Sequence, residues 1–127
     1  VRPDPSTALL LIAHGSRNPL ANLDLVHIAE SFRNEGFPKV EVSYLELAPP
    51  DIQEGGSACV VPGINTVLML PYFLSAGVHV RQDLEEAKKN LESSHPGVSF
   101  ILAKPLGPHP QLVEILKLRG DEALTIR

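Results

Sequence analysis

ALLLIAHGSRNPLANLDLVHIAESF, Ala8 to Phe32, is the stretch that decides the fold. Ala8–Ala13 is continuously apolar, the pattern of a strand covered on both faces. The run stops at His14-Gly15-Ser16-Arg17, where polar chemistry begins without transition. From Leu20 the period becomes helical. Ala21, Leu25, Ile28, Ala29 and Phe32 share one face, while Asp24, His27, Glu30, Ser31 and Asn34 share the opposite one. Gly36 and Pro38 close this helix just past Glu35. A buried strand that feeds an amphipathic helix opens an α/β unit.

The alternation continues along the chain. Val40–Leu47 (VEVSYLEL) reads as a second strand, rich in β-branched and apolar residues. Pro49-Pro50-Asp51 opens a short helix that Gly55-Gly56 weaken and Pro62-Gly63 end. Asn65–Leu70 is a third strand, and Val80, Leu84, Ala87 and Leu91 mark a long helix over 80–93. His95-Pro96-Gly97 is a turn, Val98–Ala103 a fourth strand, and Gln111–Leu118 a final helix. Strands alternating with helices predict an α/β domain with a parallel sheet and right-handed crossovers. The doubly wound order 2-1-3-4 covers both sheet faces and leaves a crevice at the carboxyl ends of strands 1 and 3. His14 directly follows strand 1, and the loop after strand 3, PYFLSAGVHV, contains His79.

Composition bounds the function. A chain of 127 residues is expected to form one domain over 1–127. Hydrophobic content of 43% and charged content of 20% are ordinary for a globular protein. The net charge of −4, without a Lys/Arg cluster, argues against a nucleic-acid partner. Cys59 is the single cysteine, which excludes an internal disulfide framework and a CxxC metal site. The longest apolar stretch, Thr66–Val80, is interrupted by Pro71, Ser75 and Gly77, whereas a membrane-spanning helix needs about 20 apolar residues. VRPDPSTA lacks the apolar core of a secretory signal, so a soluble protein of the reducing cytoplasm is the expectation. Val1 in place of Met is compatible with a fragment or a processed terminus.

The five histidines are not equivalent. His27 lies on the polar face of the first helix, His95 is turn material, and His109 precedes the last helix, where it either serves the N-terminal end or is merely exposed. His14 and His79 remain. On spacing alone a structural role weighs as much as a functional one for each: a strand-end ring bonded to a carbonyl, or a first-turn helix residue. Their shared place at the crevice tips the balance toward function. Imidazole suits two jobs near neutral pH, accepting a proton and ligating a divalent metal. Two protein nitrogens make an open, weak metal site rather than a closed structural one. Glu46, late in the second strand, either adds an oxygen at the rim or points outward. Leu74 to Val78 are mostly small residues feeding a helix start, whose free N–H groups attract anions. Arg17 and Arg81 stand near the histidines as partners for carboxylates, and Pro71-Tyr72-Phe73-Leu74 offers an apolar surface. A ligand with several carboxylates and an apolar body fits this set.

LIAHGSRNP, YLELAPPDI, LPYFLSAGVHVRQDL and KPLGPHPQL together resemble the CbiX-type sirohydrochlorin chelatases, from about Leu9 to Leu116. HGSR followed about 60 residues later by FLxxGxH is the specific part of the match. The resemblance implies the doubly wound fold. It also implies insertion of Co2+, Ni2+ or Fe2+ into sirohydrochlorin, an octacarboxylate tetrapyrrole, without ATP, on the way to cobalamin, coenzyme F430 or siroheme. The metal is then a substrate, and no organic cofactor is implied. The family's metal-binding histidines fall on His14 and His79, its substrate loop on Phe73, Leu74, Ser75, Ala76, Gly77 and Val78, and its strand-2 glutamate on Glu46. Many members carry an acidic residue where this chain has Pro49, which leaves Glu46 as the rim carboxylate. The His-rich insertion and Cys-rich tail of some relatives are absent, so no iron–sulfur cluster is expected. Small members form homodimers with the active site between subunits.

Metallation requires removal of two inner pyrrole protons, and His14 is the candidate acceptor. One nitrogen cannot ligate a metal and take a proton at once, so the two roles are sequential or shared with His79. Two other classes compete. A carrier would bind tetrapyrrole or metal without turnover. A phosphoryl-transfer enzyme with a histidine nucleophile normally has an Arg just before that histidine, where this chain has Ala13.

Overall fold

β1 (Thr7–Ala13) is the central strand of the protein, with Leu9, Leu10, Leu11 and Ile12 no more than 2% exposed in the computed structural model, which describes residues 1–126. It is followed by α1 (Pro19–Asn34), β2 (Lys39–Tyr44), α2 (Ile52–Cys59), β3 (Thr66–Pro71), α3 (Val78–Ser94), β4 (Ser99–Leu102) and α4 (Pro110–Ile126). The four strands form one parallel sheet in the order β2-β1-β3-β4. The predicted strand order therefore holds.

Alternation along the strands separates two cores. Ala8, Leu10 and Ile12 face α2 and α3 together with Val67, Met69 and Phe100. Leu9 and Leu11 face α1 together with Val40 and Tyr44. The predicted α1 stripe is only partly inside: Leu25 and Ala29 are buried, Ile28 and Phe32 half-buried, and Ala21 exposed.

Several boundaries move. β2 ends at Tyr44 rather than Leu47, because the chain turns at Leu47 (φ +67°) and Pro50 accepts the Tyr44 amide (2.9 Å). α3 begins at Val78, two residues before its apolar stripe. α4 runs to Ile126, eight residues beyond the predicted end, through Gly120. The short α2 is held by a capping box, Asp51 Oδ1 accepting from the Glu54 amide (2.8 Å) and Glu54 Oε1 from the Asp51 amide (3.1 Å).

The two glycines that look like a weakness of α2 are packing devices. A Cβ on Gly55 would lie 2.9 Å from the Val42 carbonyl oxygen and from Ser43 Cβ, and one on Gly56 would lie 2.6 Å from the methyls of Leu91. They let the helix approach the sheet and α3 more closely than any side chain allows. Cys59 closes the same helix, its Sγ donating to the Leu9 carbonyl (3.7 Å). Burial, and secondarily the charge of Glu41, pushes this thiol up to about 12.

The loops at the carboxyl edge are laced to one another. Leu45 N–H donates to the Ala13 carbonyl (2.9 Å), Glu46 N–H to that of His14 (3.1 Å) and Tyr72 N–H to that of Ile12 (2.6 Å). Asn22, in the first turns of α1, grips Ser16 twice: its Oδ1 accepts from the Ser16 amide (3.0 Å) and its Nδ2 donates to the Ser16 carbonyl (2.8 Å).

Gly55→Ala is expected to destabilise the fold by about 1–3 kcal/mol, despite a helix-propensity gain of about 1 kcal/mol, and a lower urea midpoint measures it. Asn22→Ala removes both contacts to Ser16 and should cost about 1–3 kcal/mol, with faster hydrogen exchange confined to the Ser16 region. Cys59 should resist iodoacetamide in the native protein at neutral pH and react only at the rate of global unfolding.

Candidate active site at the carboxyl edge of the sheet

His14 sits where β1 ends, and the following residue determines how it is held. Gly15 has φ +94°, and any Cβ there would collide with the Glu46 carbonyl. The chain turns at this point because only glycine combines that dihedral with that proximity. His14 is thereby left exposed at the rim, and its ring lies against Phe73, centroids 4.6 Å apart and planes 36° from parallel. Phe73 itself is buried among the residues facing α2 and α3. This contact joins the loop after β1 to the loop after β3.

From Phe73 the chain runs through Leu74, Ser75, Ala76 and Gly77 into α3. Leu74, Ser75 and Gly77 are exposed and Ala76 half-buried. Gly77 is the N-cap of α3 and supplies no side-chain cap. The first amide groups of α3 are thus free of a capping side chain, which leaves donors and a positive dipole end at the rim. Val78 belongs to the helix, and His79 occupies its first turn, exposed. A Cβ on Gly77 would meet nothing within 4 Å, so the small residues here keep space open rather than accommodating another part of the chain.

Three clefts or grooves take in parts of this edge. One of about 230 Å3 is lined by His14, Ser16, Asn22, Asp24, Tyr44 and Tyr72, among others. Tyr44 is oriented by donating from its hydroxyl to the Asn22 carbonyl (2.9 Å), and burial raises its phenol above the ordinary value. A groove of about 630 Å3 runs along α3 past Val78, Arg81 and Glu85 but reaches neither histidine. Arg81 also borders a cleft of about 200 Å3 with Ala76, Leu102 and Lys104.

Glu46 comes beside His14 through the backbone, with its side chain exposed beyond the end of β2. Among the described residues no three His, Cys, Asp or Glu side chains gather closely enough to hold a metal, so Glu46 does not complete a ligand set with the histidines. Arg17 and Arg81 are exposed and form no ion pair among the described residues. Two of the remaining three histidines are bonded within the chain. His27 is exposed, His95 shares a hydrogen bond with the Ser57 hydroxyl (3.0 Å), and His109 Nδ1 accepts from the Gln111 amide (3.1 Å) at the start of α4.

Sequence reasoning missed Asn22 and Tyr44, which brace the His14 loop from α1 and β2. Asn22 is half-buried between Ala21 and Leu23 in α1, and no local signal in the sequence marks it.

Residues 8–123 match the CbiX family model. A chloroplastic sirohydrochlorin ferrochelatase of Arabidopsis thaliana is 32% identical over 92% of this chain and 52% of its own length. A sirohydrochlorin cobaltochelatase of Priestia megaterium is 37% identical over 96% of this chain and 40% of its own. The chain therefore spans about half the length of these relatives or less. It covers 93% of a sirohydrochlorin cobaltochelatase of Sulfolobus acidocaldarius, at 30% identity over 93% of this chain. Among solved structures, a CbiX protein from Marinobacter aquaeolei VT8 superposes with TM-score 0.82 at 28% identity, over 95% of this chain and 99% of that one. The sirohydrochlorin chelatase SirB of Bacillus subtilis subspecies spizizenii, in complex with cobalt, gives the same score at 28% identity over 92% of this chain and 50% of that one. With the parallel 2-1-3-4 sheet and the paired loops at its carboxyl edge, these matches make the chain a member of the CbiX family.

Proposed function

We propose that this chain is a sirohydrochlorin chelatase that inserts a divalent metal, Co2+, Ni2+ or Fe2+, without ATP. The observation that carries the reading is the His14–Phe73 contact, because it ties an exposed imidazole to the loop that leads into His79. Relatives named for cobalt and for iron both support chelation and leave the choice of metal open.

In this reading the tetrapyrrole lies over the carboxyl edge of β1 and β3. Its carboxylates meet Arg17, Arg81 and the free amides of the Ser75–Val78 segment, and its apolar body meets Phe73 and Leu74. Glu46 borders the substrate from the β2 side. The divalent ion, a substrate, is held by His14 and His79 with water in its other positions. Such a site suits transfer: a site with four protein ligands would retain the ion. As the metal enters the macrocycle, the two pyrrole protons must leave. Imidazole accepts a proton near neutral pH, so His14 serves as base once its nitrogen is released from the metal, or while His79 holds the ion.

The test is anaerobic metallation of sirohydrochlorin followed by absorbance, with each metal in turn and with ATP omitted. Wild-type protein should turn over many times. His14→Ala should lower kcat by roughly 10²-fold or more, as loss of a general base does. His79→Ala should raise the metal concentration needed for half-maximal rate. One product per protein without turnover would mean a carrier, and wild-type rates in His14→Ala would remove the proposed base.

A further inference from the structure

Leu47 is the one non-glycine residue with positive φ among the described residues (+67°). That dihedral lies in the left-handed region, where a Cβ crowds the backbone and glycine alone is at ease. The turn itself is needed by the fold. Leu45 packs with the core that faces α2 and α3, and Ala48 with the core that faces α1. Between them the chain must change direction so that Pro50 can accept the Tyr44 amide (2.9 Å).

A glycine would make this turn without strain, and the fold asks for no side chain there. That of Leu47 is 52% exposed and joins neither core. An apolar group is thus held toward water in a strained conformation, and the cores on either side gain nothing from it. Strain that the fold does not use clusters at ligand sites.

The position is beside His14. Glu46, the preceding residue, donates its amide to the His14 carbonyl (3.1 Å), and its own carbonyl fills the space a side chain on Gly15 would need. Phe73 lies against the imidazole from the β3 loop, and the next residue, Leu74, is 64% exposed. The Leu74 carbonyl accepts the Gly107 amide (2.8 Å), which anchors that loop as Glu46 anchors the other. β2 and β3 flank β1, so the segments that follow them leave the sheet about 10 Å apart. Two exposed leucines therefore follow strands on opposite sides of the one that carries His14.

We infer that Leu47 is a second apolar contact for the tetrapyrrole, closing on the ring opposite Leu74 and centring it over His14. The contact rests on the chelatase reading for the identity of its ligand. Carboxylates at the ring periphery can meet Arg17, Arg81 and the free amides, but these contacts act far from the ring centre. Metal transfer needs the inner nitrogens aligned with the histidines, and apolar contacts on two sides supply that alignment. The leucine in the strained turn gives up stability for the position of the substrate.

Binding of metal-free sirohydrochlorin, followed by the absorbance change of the tetrapyrrole on titration with the whole chain, tests the contact apart from turnover. Leu47→Ala and Leu47→Gly both remove the side chain, and each should raise Kd roughly tenfold, the loss expected from uncovering most of a leucine. Leu47→Met keeps an apolar side chain and should bind within about threefold of wild type. Leu47→Gly should have a higher urea midpoint than Leu47→Ala, since only glycine is relieved at this dihedral. A variant more stable than its alanine counterpart and equally poor at binding cannot owe the loss to misfolding. Wild-type affinity in both Leu47→Ala and Leu47→Gly, with sirohydrochlorin bound by the wild type, would overturn the contact and leave the chelatase reading standing. A wild-type protein that binds no sirohydrochlorin would overturn both. A change in mass by light scattering in Leu47→Ala would also overturn the contact, because Leu47 would then serve a second copy of the chain.

Discussion

Everything in this protein is arranged around β1 being covered on all sides. Two neighbouring strands occupy its edges, and two helical layers its faces. Such enclosure keeps the strand apolar from Ala8 to Ala13, so the next polar residue appears where the enclosure ends. That residue is His14, and Gly15 determines the direction the chain takes next, since the Glu46 carbonyl occupies the space a side chain would need. The position of the imidazole is therefore inherited from the core.

The rim around His14 is built by several elements that each contribute one contact. Phe73 supports one side of the ring, Asn22 fixes Ser16 from α1, and Tyr44 is itself oriented by the Asn22 carbonyl. Such a rim is rigid below and open above. That combination suits a large, flat ligand that must arrive, exchange an ion and leave.

Much of this was legible in the sequence. The apolar run of β1 and the periodicity of α1 and α3 carried the layers, and the alternation of strands and helices carried the strand order, since few parallel orders cover both faces. His14 and His79 could be singled out because they follow neighbouring strands. What was not legible depends on distant contacts. The close approach of Gly55 to Val42 is invisible when helix propensity alone is read, and α2 looked weaker than it is. Asn22 reads as one more polar helix residue until its partner at Ser16 is known. The predicted final helix stops at Leu118, just short of Gly120, whereas α4 continues through that glycine to Ile126. Periodicity speaks of faces, but it does not say what each face meets.

The turns before β3 and β4, at Pro62-Gly63 and Pro96-Gly97, are exposed, and a Cβ at either glycine would meet nothing within 4 Å. Because all strands are parallel, both turns lie at the opposite end of the sheet from His14. On the proposed reading the carboxyl edge is the working end. A tether, dye or fused module placed at either turn would leave the working end facing solution, so the protein can be immobilised in one known orientation.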